Sequence, residues 1–168
     1  MKPLPVDSSA PDFTLMDQIG KPFNLREAVQ SKKVLLIFYP TDWGQVCFQE
    51  LSAFRELQPL FDQAGCQLVA ISYNDIISHG LWSERLRLRF PLLCDRLGAV
   101  AALFGVQDDD ENSFNYGRPQ RALIMIDQSM TIVWKWVAPS LWLEPEYNEV
   151  LKAATGELGK MIFPYPQM

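Results

Sequence analysis

The apolar and polar residues of this chain alternate in blocks of strand length and of helix length. Continuous apolar or β-rich runs predict strands at residues 34–39, 68–71, 90–93, 122–126 and 131–137, the last two joined as a hairpin. Helical spacing of apolar residues predicts helices near 47–61, 77–88, 97–104 and 146–154, and a short helix over 25–29 capped by Asn24. The order predicts an α/β fold, with a central mixed sheet flanked by helices.

One stretch, from Val34 to Leu51, combines three of these signals. A buried strand from Val34 to Tyr39 leads into a turn from Pro40 to Gln45, and a helix opens at or next to Cys47. Free backbone N–H groups and the positive end of the helix dipole favour a thiolate at such a position. Cys47 is therefore a candidate nucleophile, and the plainer interpretation is an inert buried cysteine.

Composition narrows the classes of partner. A chain of 168 residues with 48% hydrophobic and 21% charged residues predicts one ordinary globular domain, residues 1–168. A net charge of −5 disfavours nucleic acid and anionic membrane surfaces as partners, and leaves small molecules and proteins. No apolar run has the length of a secretory signal or a membrane span, so we expect the cytoplasm.

Cysteine and histidine usage gives no sign of a metal site. The three cysteines are irregularly spaced and form no Cys-x-x-Cys, and His79 is the single histidine. We expect His79 to be a solvated polar residue and the acidic run from Asp108 to Glu111 to lie in a solvated loop. Pro59 is expected to bend the helix that it interrupts.

Taken together in order, the motifs make the chain resemble the peroxiredoxins, thiol peroxidases with a thioredoxin-like fold. The matching pieces are Ala10-Pro11-Asp12-Phe13-Thr14-Leu15, Phe38-Tyr39-Pro40, Val46-Cys47, Glu50-Leu51, Ile71-Ser72, Phe90-Pro91-Leu92-Leu93-Cys94-Asp95, and Arg121 before the run 122–127. The resemblance covers nearly the whole chain and depends on the order and spacing of these pieces. It implies reduction of hydrogen peroxide or an organic hydroperoxide at Cys47, without a cofactor.

The active-site pattern of that family is Pro-x-x-x-Thr/Ser-x-x-Cys. Pro40 and Cys47 match its ends, and Gly44 occupies the hydroxyl position. In the family this hydroxyl hydrogen-bonds the peroxide and the sulfur. Losing one hydrogen bond to a charged group costs on the order of 1.5–3 kcal/mol, which is about one to two powers of ten in rate.

The resemblance also implies roles for neighbouring residues. Arg121 matches the arginine that holds the thiolate and polarises the peroxide, and Glu50 matches the glutamate that orders it; Arg118 is a competing arginine with an expected surface role. The expected substrate pocket is lined by Tyr39, Trp43, Gly44 and Val46. Glutamate near a helix start is also simply favourable, and aromatic residues beside a strand are often only packing.

The sulfenic acid that this chemistry leaves must be reduced. Cys66 and Cys94 are candidate resolving cysteines, but neither lies where the family usually places one, so we expect a one-cysteine mechanism with an external thioredoxin-like or low-molecular-weight thiol. Trp134, Trp136, Trp142 and the tail from Met161 to Met168 suggest a homodimer contact where they do not fill the core. The alternative function is a redox sensor or interaction module with little turnover, motivated by Gly44.

Overall fold

The computed structural model describes residues 1–156, which form seven strands and five helices. The strands are β1 (Thr14–Met16), β2 (Pro22–Asn24), β3 (Lys33–Phe38), β4 (Cys66–Ser72), β5 (Leu92–Cys94), β6 (Ala122–Ile126) and β7 (Ile132–Val137). The helices are α1 (Leu25–Ala28), α2 (Gln45–Gln63), α3 (Ile76–Leu86), α4 (Ala99–Leu103) and α5 (Tyr147–Thr155).

A five-stranded mixed sheet with the order β5-β4-β3-β6-β7 forms the centre of the molecule. Strands β3, β4 and β5 run parallel, whereas β6 is antiparallel to β3 and β7 is antiparallel to β6. β1 and β2 form a separate antiparallel pair. The predicted mixed sheet is confirmed, as are the capping of α1 by Asn24 and the hairpin of β6 and β7.

Strand β3 is buried on both sides, as its uninterrupted apolar sequence predicts. Leu35, Ile37 and Tyr39 enter one hydrophobic core with residues of α2, α3 and α5. Val34, Leu36 and Phe38 enter a second core with residues of α1 and α4. This double cover fixes the end of β3, and with it the start of the loop that follows.

The boundaries differ from the predictions at a few places. Helix α2 begins at Gln45, two residues before Cys47, and continues through Pro59 to Gln63. Helix α3 begins at Ile76, where the Asp75 carboxylate accepts the backbone N–H of Ser78. Within residues 1–156, no helix combines the length and the apolar character that crossing a bilayer requires. The tail from Met161 to Met168 lies outside the described residues.

Candidate active site

Cys47 lies in the first turn of α2, directly beyond the C-terminal end of β3. Gly44 is the N-cap residue, with extended backbone angles (φ −77°, ψ 144°) and no side chain to cap the helix. The Cys47 side chain is 3% exposed and belongs to the core between the sheet and α2. The backbone N–H of Thr41 donates to its sulfur. The loop and the helix start thus meet at one buried thiol.

Sheet pairing brings Arg121 to the same place from 74 residues away. Because β6 is antiparallel to β3 and Ala122 pairs with Phe38, Arg121 lies beside the point where the chain leaves β3. Its side chain is 2% exposed. The resemblance implied an active-site arginine directly before the run 122–127, and the register shows how this position comes to lie beside Cys47.

The guanidinium of Arg121 is held by three groups. Its Nη1 donates to Glu50 Oε1 at 2.8 Å, while Nε and Nη2 donate to the Leu141 carbonyl at 3.1 and 2.9 Å. Nη2 also lies 3.4 Å from Cys47 Sγ. Several donors committed to fixed acceptors leave the planar group little rotational freedom. The arrangement aims a cation at the sulfur.

Burial and charge act in opposite directions on Cys47. Burial raises the pKa of the Cys47 thiol, and the Arg121 cation and the Thr41 N–H offset this only in part, so the pKa remains above its ordinary value. The sequence-based expectation of a thiolate relied on the helix start and on Arg121; in the structure the effect of burial on the pKa is larger than theirs. The thiolate therefore depends on Arg121 and Thr41 for its stabilisation.

The partner of Arg121 also titrates in an unusual range. Burial raises the pKa of Glu50 to about 7, although the Arg121 cation opposes the rise. Burial alone would lower the pKa of Arg121, but the neighbouring Glu50 and Cys47 outweigh it and raise the pKa. Arg121 is therefore a cation at neutral pH.

The space beside Gly44 is open toward the sulfur. A Cβ atom built on Gly44 would lie 3.4 Å from Cys47 Sγ and 3.7 Å from Thr41 Cγ2, which are ordinary contact distances. The hydroxyl of Thr41 does not replace the missing one, because it donates to the carbonyl of Asp42 at 3.1 Å. The site therefore lacks a side-chain hydroxyl where the sequence pattern leads one to expect it.

Comparison with known proteins points to the family that the sequence motifs resemble. The model of the AhpC/TSA family matches residues 6–135. The chain is a peroxiredoxin of the AhpC/TSA family. It is 35% identical to alkyl hydroperoxide reductase E of Mycobacterium tuberculosis over 116 residues, which are 68% of this chain and 76% of that protein. It is 37% identical to the chloroplastic peroxiredoxin Q of Triticum aestivum over 102 residues, which are 61% of this chain and 46% of the plant protein.

The chain thus spans about half the length of the plant relative. Among solved structures, a yeast mitochondrial 1-Cys peroxiredoxin superposes with a TM-score of 0.77 and 26% identity, covering 89% of this chain and 74% of the yeast chain. The predicted thioredoxin-like fold is confirmed by such neighbours.

The remaining residues predicted to line the pocket of this peroxiredoxin differ in how far they are exposed to solvent. Pro40 and Tyr39 are buried and Val46 is half-buried, whereas Trp43 is 54% exposed. The Tyr39 hydroxyl faces away from bulk water and donates to Asp42 Oδ1 at 2.6 Å. Trp43 has a left-handed backbone (φ 69°), which a bulky residue rarely adopts. Its indole packs on Trp82 with ring centroids 4.9 Å apart.

The prediction for His79 is wrong. His79 is fully buried, with Nδ1 2.7 Å from Asp42 Oδ2 and Nε2 3.0 Å from the Leu93 carbonyl oxygen. A lone histidine in a polar helix start gave no sequence signal for this. Its carboxylate partner is brought into contact by the fold, since Asp42 lies 37 residues earlier in the chain.

The two candidate resolving cysteines lie at different ends of the sheet. Cys66 begins β4 and pairs with Lys33, at the opposite end of β3 from Cys47. Burial raises its pKa to about 12. Cys94 ends β5, at the same end as Cys47 but two strand positions from β3, and burial together with Asp42 raises its pKa to about 11. Neither cysteine is a ready nucleophile in this arrangement.

The acidic loop lies beside Arg121 and not beside the sulfur. Asp108, Asp109 and Asp110 line an open cleft of about 310 Å³ whose other wall includes Arg121 and Leu141. The loop from Asp108 to Glu111 is at least partly exposed, as predicted. A carboxylate-lined approach repels anions. Arg118 covers the ring of Tyr73 with its guanidinium carbon 4.5 Å from the centroid, in keeping with its expected role outside the site.

Sequence reasoning missed the main-chain groups of the site. The Thr41 N–H and the Leu141 carbonyl leave no trace in residue identity, because every residue other than proline carries both groups. Asp42 did leave a signal that was not used. It is a carboxylate in a short turn between a fully apolar strand and the candidate nucleophile.

Proposed function

We propose that this peroxiredoxin is a thiol peroxidase that reduces hydrogen peroxide or an organic hydroperoxide at Cys47. The observation that carries the proposal is the 3.4 Å contact between Cys47 Sγ and Arg121 Nη2, with Arg121 fixed by Glu50 and the Leu141 carbonyl. A fixed cation beside a buried sulfur stabilises the thiolate and the negative charge that develops on the peroxide oxygens.

The reaction begins with attack of the Cys47 thiolate on one oxygen of the neutral hydroperoxide R′OOH. A sulfur–oxygen bond forms as the oxygen–oxygen bond breaks, Cys47 is oxidised to a sulfenic acid, and the peroxide is reduced. The leaving R′O⁻ accepts a proton from water and departs as R′OH. Arg121 and the Thr41 N–H lie where they can stabilise the negative charge throughout.

For turnover we propose a one-cysteine mechanism with an external thiol. A first thiol RSH displaces water from the sulfenic acid and forms a mixed disulfide with Cys47, and a second thiol releases Cys47 as RSSR forms. The positions of Cys66 and Cys94 support this, because a disulfide requires Cα atoms about 4.4–6.8 Å apart. The yeast protein is likewise described as a 1-Cys peroxiredoxin, resolved through glutathione/thioredoxin systems.

Stopped-flow measurement of the reduced protein with peroxide tests the proposal. A second-order rate above that of free cysteine, abolished by Cys47→Ser and retained in Cys66→Ser and Cys94→Ser, is the expected result. Mass spectrometry after one equivalent of peroxide should then show one added oxygen on Cys47. A rate no faster than free cysteine contradicts the peroxidase, and a Cys47–Cys66 or Cys47–Cys94 disulfide contradicts the one-cysteine mechanism.

A redox sensor or interaction module with little turnover is the second candidate. Two observations favour it: Gly44 supplies no hydroxyl to the sulfur, and burial raises the pKa of Cys47. Such a protein would be oxidised slowly and would keep its oxidised form. A fast wild-type reaction with thiol-driven turnover would eliminate this candidate.

We further propose a cytoplasmic homodimer. Trp134 and Trp136 pack against the core, whereas Trp142 is 68% exposed and stacks on exposed Phe114 at 6.0 Å. Large exposed aromatic surfaces are typical of interfaces. Light scattering should give twice the chain mass for the wild type and a lower mass for Trp142→Ser; a monomer at all concentrations contradicts the dimer.

The three free cysteines suit a reducing compartment, which cell fractionation would test.

A further inference from the structure

A buried polar cluster behind Cys47 is not used by the proposed chemistry. It consists of Asp42 and the three side chains that contact its carboxylate: Tyr39, Ser78 and His79. Asp42 is 3% exposed and His79 is fully buried. Buried charged groups of this kind require a compensating partner and are costly to a fold. Their presence next to the nucleophile calls for a role.

Counting donors and acceptors shows that the polar groups of the cluster satisfy one another. Nε2 of His79 faces the Leu93 carbonyl oxygen, an acceptor without a proton, so Nε2 must donate. Nδ1 faces Asp42 Oδ2 at 2.7 Å, and that oxygen also accepts from Ser78 Oγ at 2.8 Å. Every contact is satisfied by one proton held between Nδ1 and Oδ2, either as imidazolium and carboxylate or as imidazole and carboxyl, so His79 and Asp42 form a buried hydrogen-bonded pair.

This pair is attached to the loop that positions the sulfur. Asp42 follows Thr41, whose N–H donates to Cys47, and precedes Trp43, whose backbone is left-handed. The backbone N–H of Asp42 donates to Asn74 Oδ1 at 2.9 Å, and Trp43 Nε1 donates to Ser78 Oγ at 3.1 Å. A strained conformation persists only where surrounding contacts over-determine it. Here those contacts converge on Asp42.

We propose that Asp42, paired with His79, is a positioning residue for Cys47: it fixes the loop from Pro40 to Gly44 so that the Thr41 N–H is aimed at the sulfur. The inference rests on the proposed function for its catalytic meaning. Its physical content, the stabilisation of the Cys47 thiolate through the loop, can be measured without any peroxide.

Other ionisable groups face the pair and define what a variant would disturb. Tyr39 approaches from the residue after β3, Asp75 from the start of α3, and Cys94 from the end of β5; burial, together with the charge of Asp42, raises the pKa of both Tyr39 and Cys94. Removing His79 alone therefore leaves a buried carboxylate among neutral or acidic groups. The loop must then shift, or Asp42 must take up a proton.

His79→Gln is the test variant, and Asp42→Asn/His79→Gln is its rescue. Expected results are a higher pKa of Cys47 and an about tenfold lower peroxide rate at pH 7 in His79→Gln, because one hydrogen bond to the thiolate is lost. The double variant, which has no unpaired carboxylate, should recover most of both. Leu86→Val on the same helix is the control, since Leu86 is buried at the last residue of α3, seven residues beyond His79, and its truncation should weaken the fold without moving the pKa of Cys47.

The pKa of Cys47 is measured by thiolate absorbance. The absorbance of the Cys47→Ser variant is subtracted, because it contains the contributions of Cys66 and Cys94. A wild-type pKa and rate in His79→Gln, or a pKa shift of equal size in Leu86→Val, overturns the proposal. Nitrogen NMR of the wild type gives an independent check, because the chain has one histidine. A proton hydrogen-bonded between Nδ1 and Asp42 supports the pair, and an Nδ1 nitrogen that makes no hydrogen bond overturns it. If the wild type does not react with peroxide but these pKa results hold, the proposed function fails and the positioning role stands.

Discussion

At the scale of single residues, the sequence identified the nucleophile of the site but only some of the groups that hold it in place. Cys47 was predicted from its position at a helix start, and Arg121 and Glu50 from the resemblance to the peroxiredoxins; the structure brings them into contact. His79 was misjudged, because a side chain's surroundings depend on residues far away in sequence. Residue type and spacing can indicate chemistry, but burial is decided by the whole fold.

We predict that Gly44→Thr raises the rate of the peroxide reaction about tenfold or more. A Cβ at this position lies 3.4 Å from Cys47 Sγ, so a hydroxyl on it can reach the sulfur and the bound peroxide. The extended backbone of Gly44 suits a β-branched residue. Stopped-flow rates measure the change, with Gly44→Val as the isosteric control that lacks the hydroxyl. Equal rates in the Thr and Val variants would show that the hydroxyl has no effect.

We predict that Arg121→Gln raises the pKa of Cys47 and lowers the rate at pH 7 about a hundredfold. The sign follows from the charge: the cation lowers the pKa of the thiol, so its removal leaves burial opposed mainly by the Thr41 N–H and moves thiolate formation to higher pH. The one charge-assisted hydrogen bond from Arg121 to the sulfur, at about 1.5–3 kcal/mol, sets the magnitude. The pH dependence of the rate measures it, and Arg121→Lys should lie between the two. An unshifted pH profile would contradict the role of Arg121.

At the scale of elements, strand and helix existence was predictable, and the ends were less so. The strand β6 was predicted with its observed bounds because five apolar residues are bounded by polar ones. The predicted start of α2 is two residues late, because Gln45 and Val46 do not extend the helical spacing of apolar residues that begins at Cys47. β1 and β2 are not among the predicted strands, since strands of three residues are too short for a pattern.

We predict that Pro59→Ala stabilises the protein by about 1–3 kcal/mol. Pro59 is exposed in the interior of α2, where it removes a backbone hydrogen bond that alanine restores. Entropy gained by the unfolded chain reduces the benefit by about 0.4–1 kcal/mol. Urea denaturation measures the difference. A decrease in stability would mean that the proline ring makes a contact that alanine cannot replace.

At the scale of the whole molecule, the Glu50–Arg121 pair joins α2 to the sheet across 71 residues of sequence. Glu50 binds a proton more tightly in the folded state, where its pKa is about 7, than in the unfolded chain, where it is near 4.3. The contribution of Glu50 to stability is therefore greatest below pH 4.3 and falls as pH rises toward 7.

Between pH 5 and pH 8, Glu50 should lower the free energy of unfolding of the wild type by on the order of 2 kcal/mol. We predict that Glu50→Gln does not show this part of the decrease. Glutamine keeps the hydrogen bond to Arg121 through its carbonyl oxygen but does not titrate. Denaturant unfolding of both proteins at the two pH values measures the effect. Parallel pH dependences would show that Glu50 stays ionised across the range.

The carbonyl that fixes Arg121 has a consequence for how this protein can diverge over evolutionary time. Leu141 supplies only main-chain oxygen to the guanidinium. Any amino acid that preserves the local backbone path supplies the same oxygen, so position 141 is free to drift while Arg121 remains anchored. Related chains can therefore share this anchor without sharing a residue there. Comparison by residue identity would overlook it, whereas comparison of backbone positions would find it.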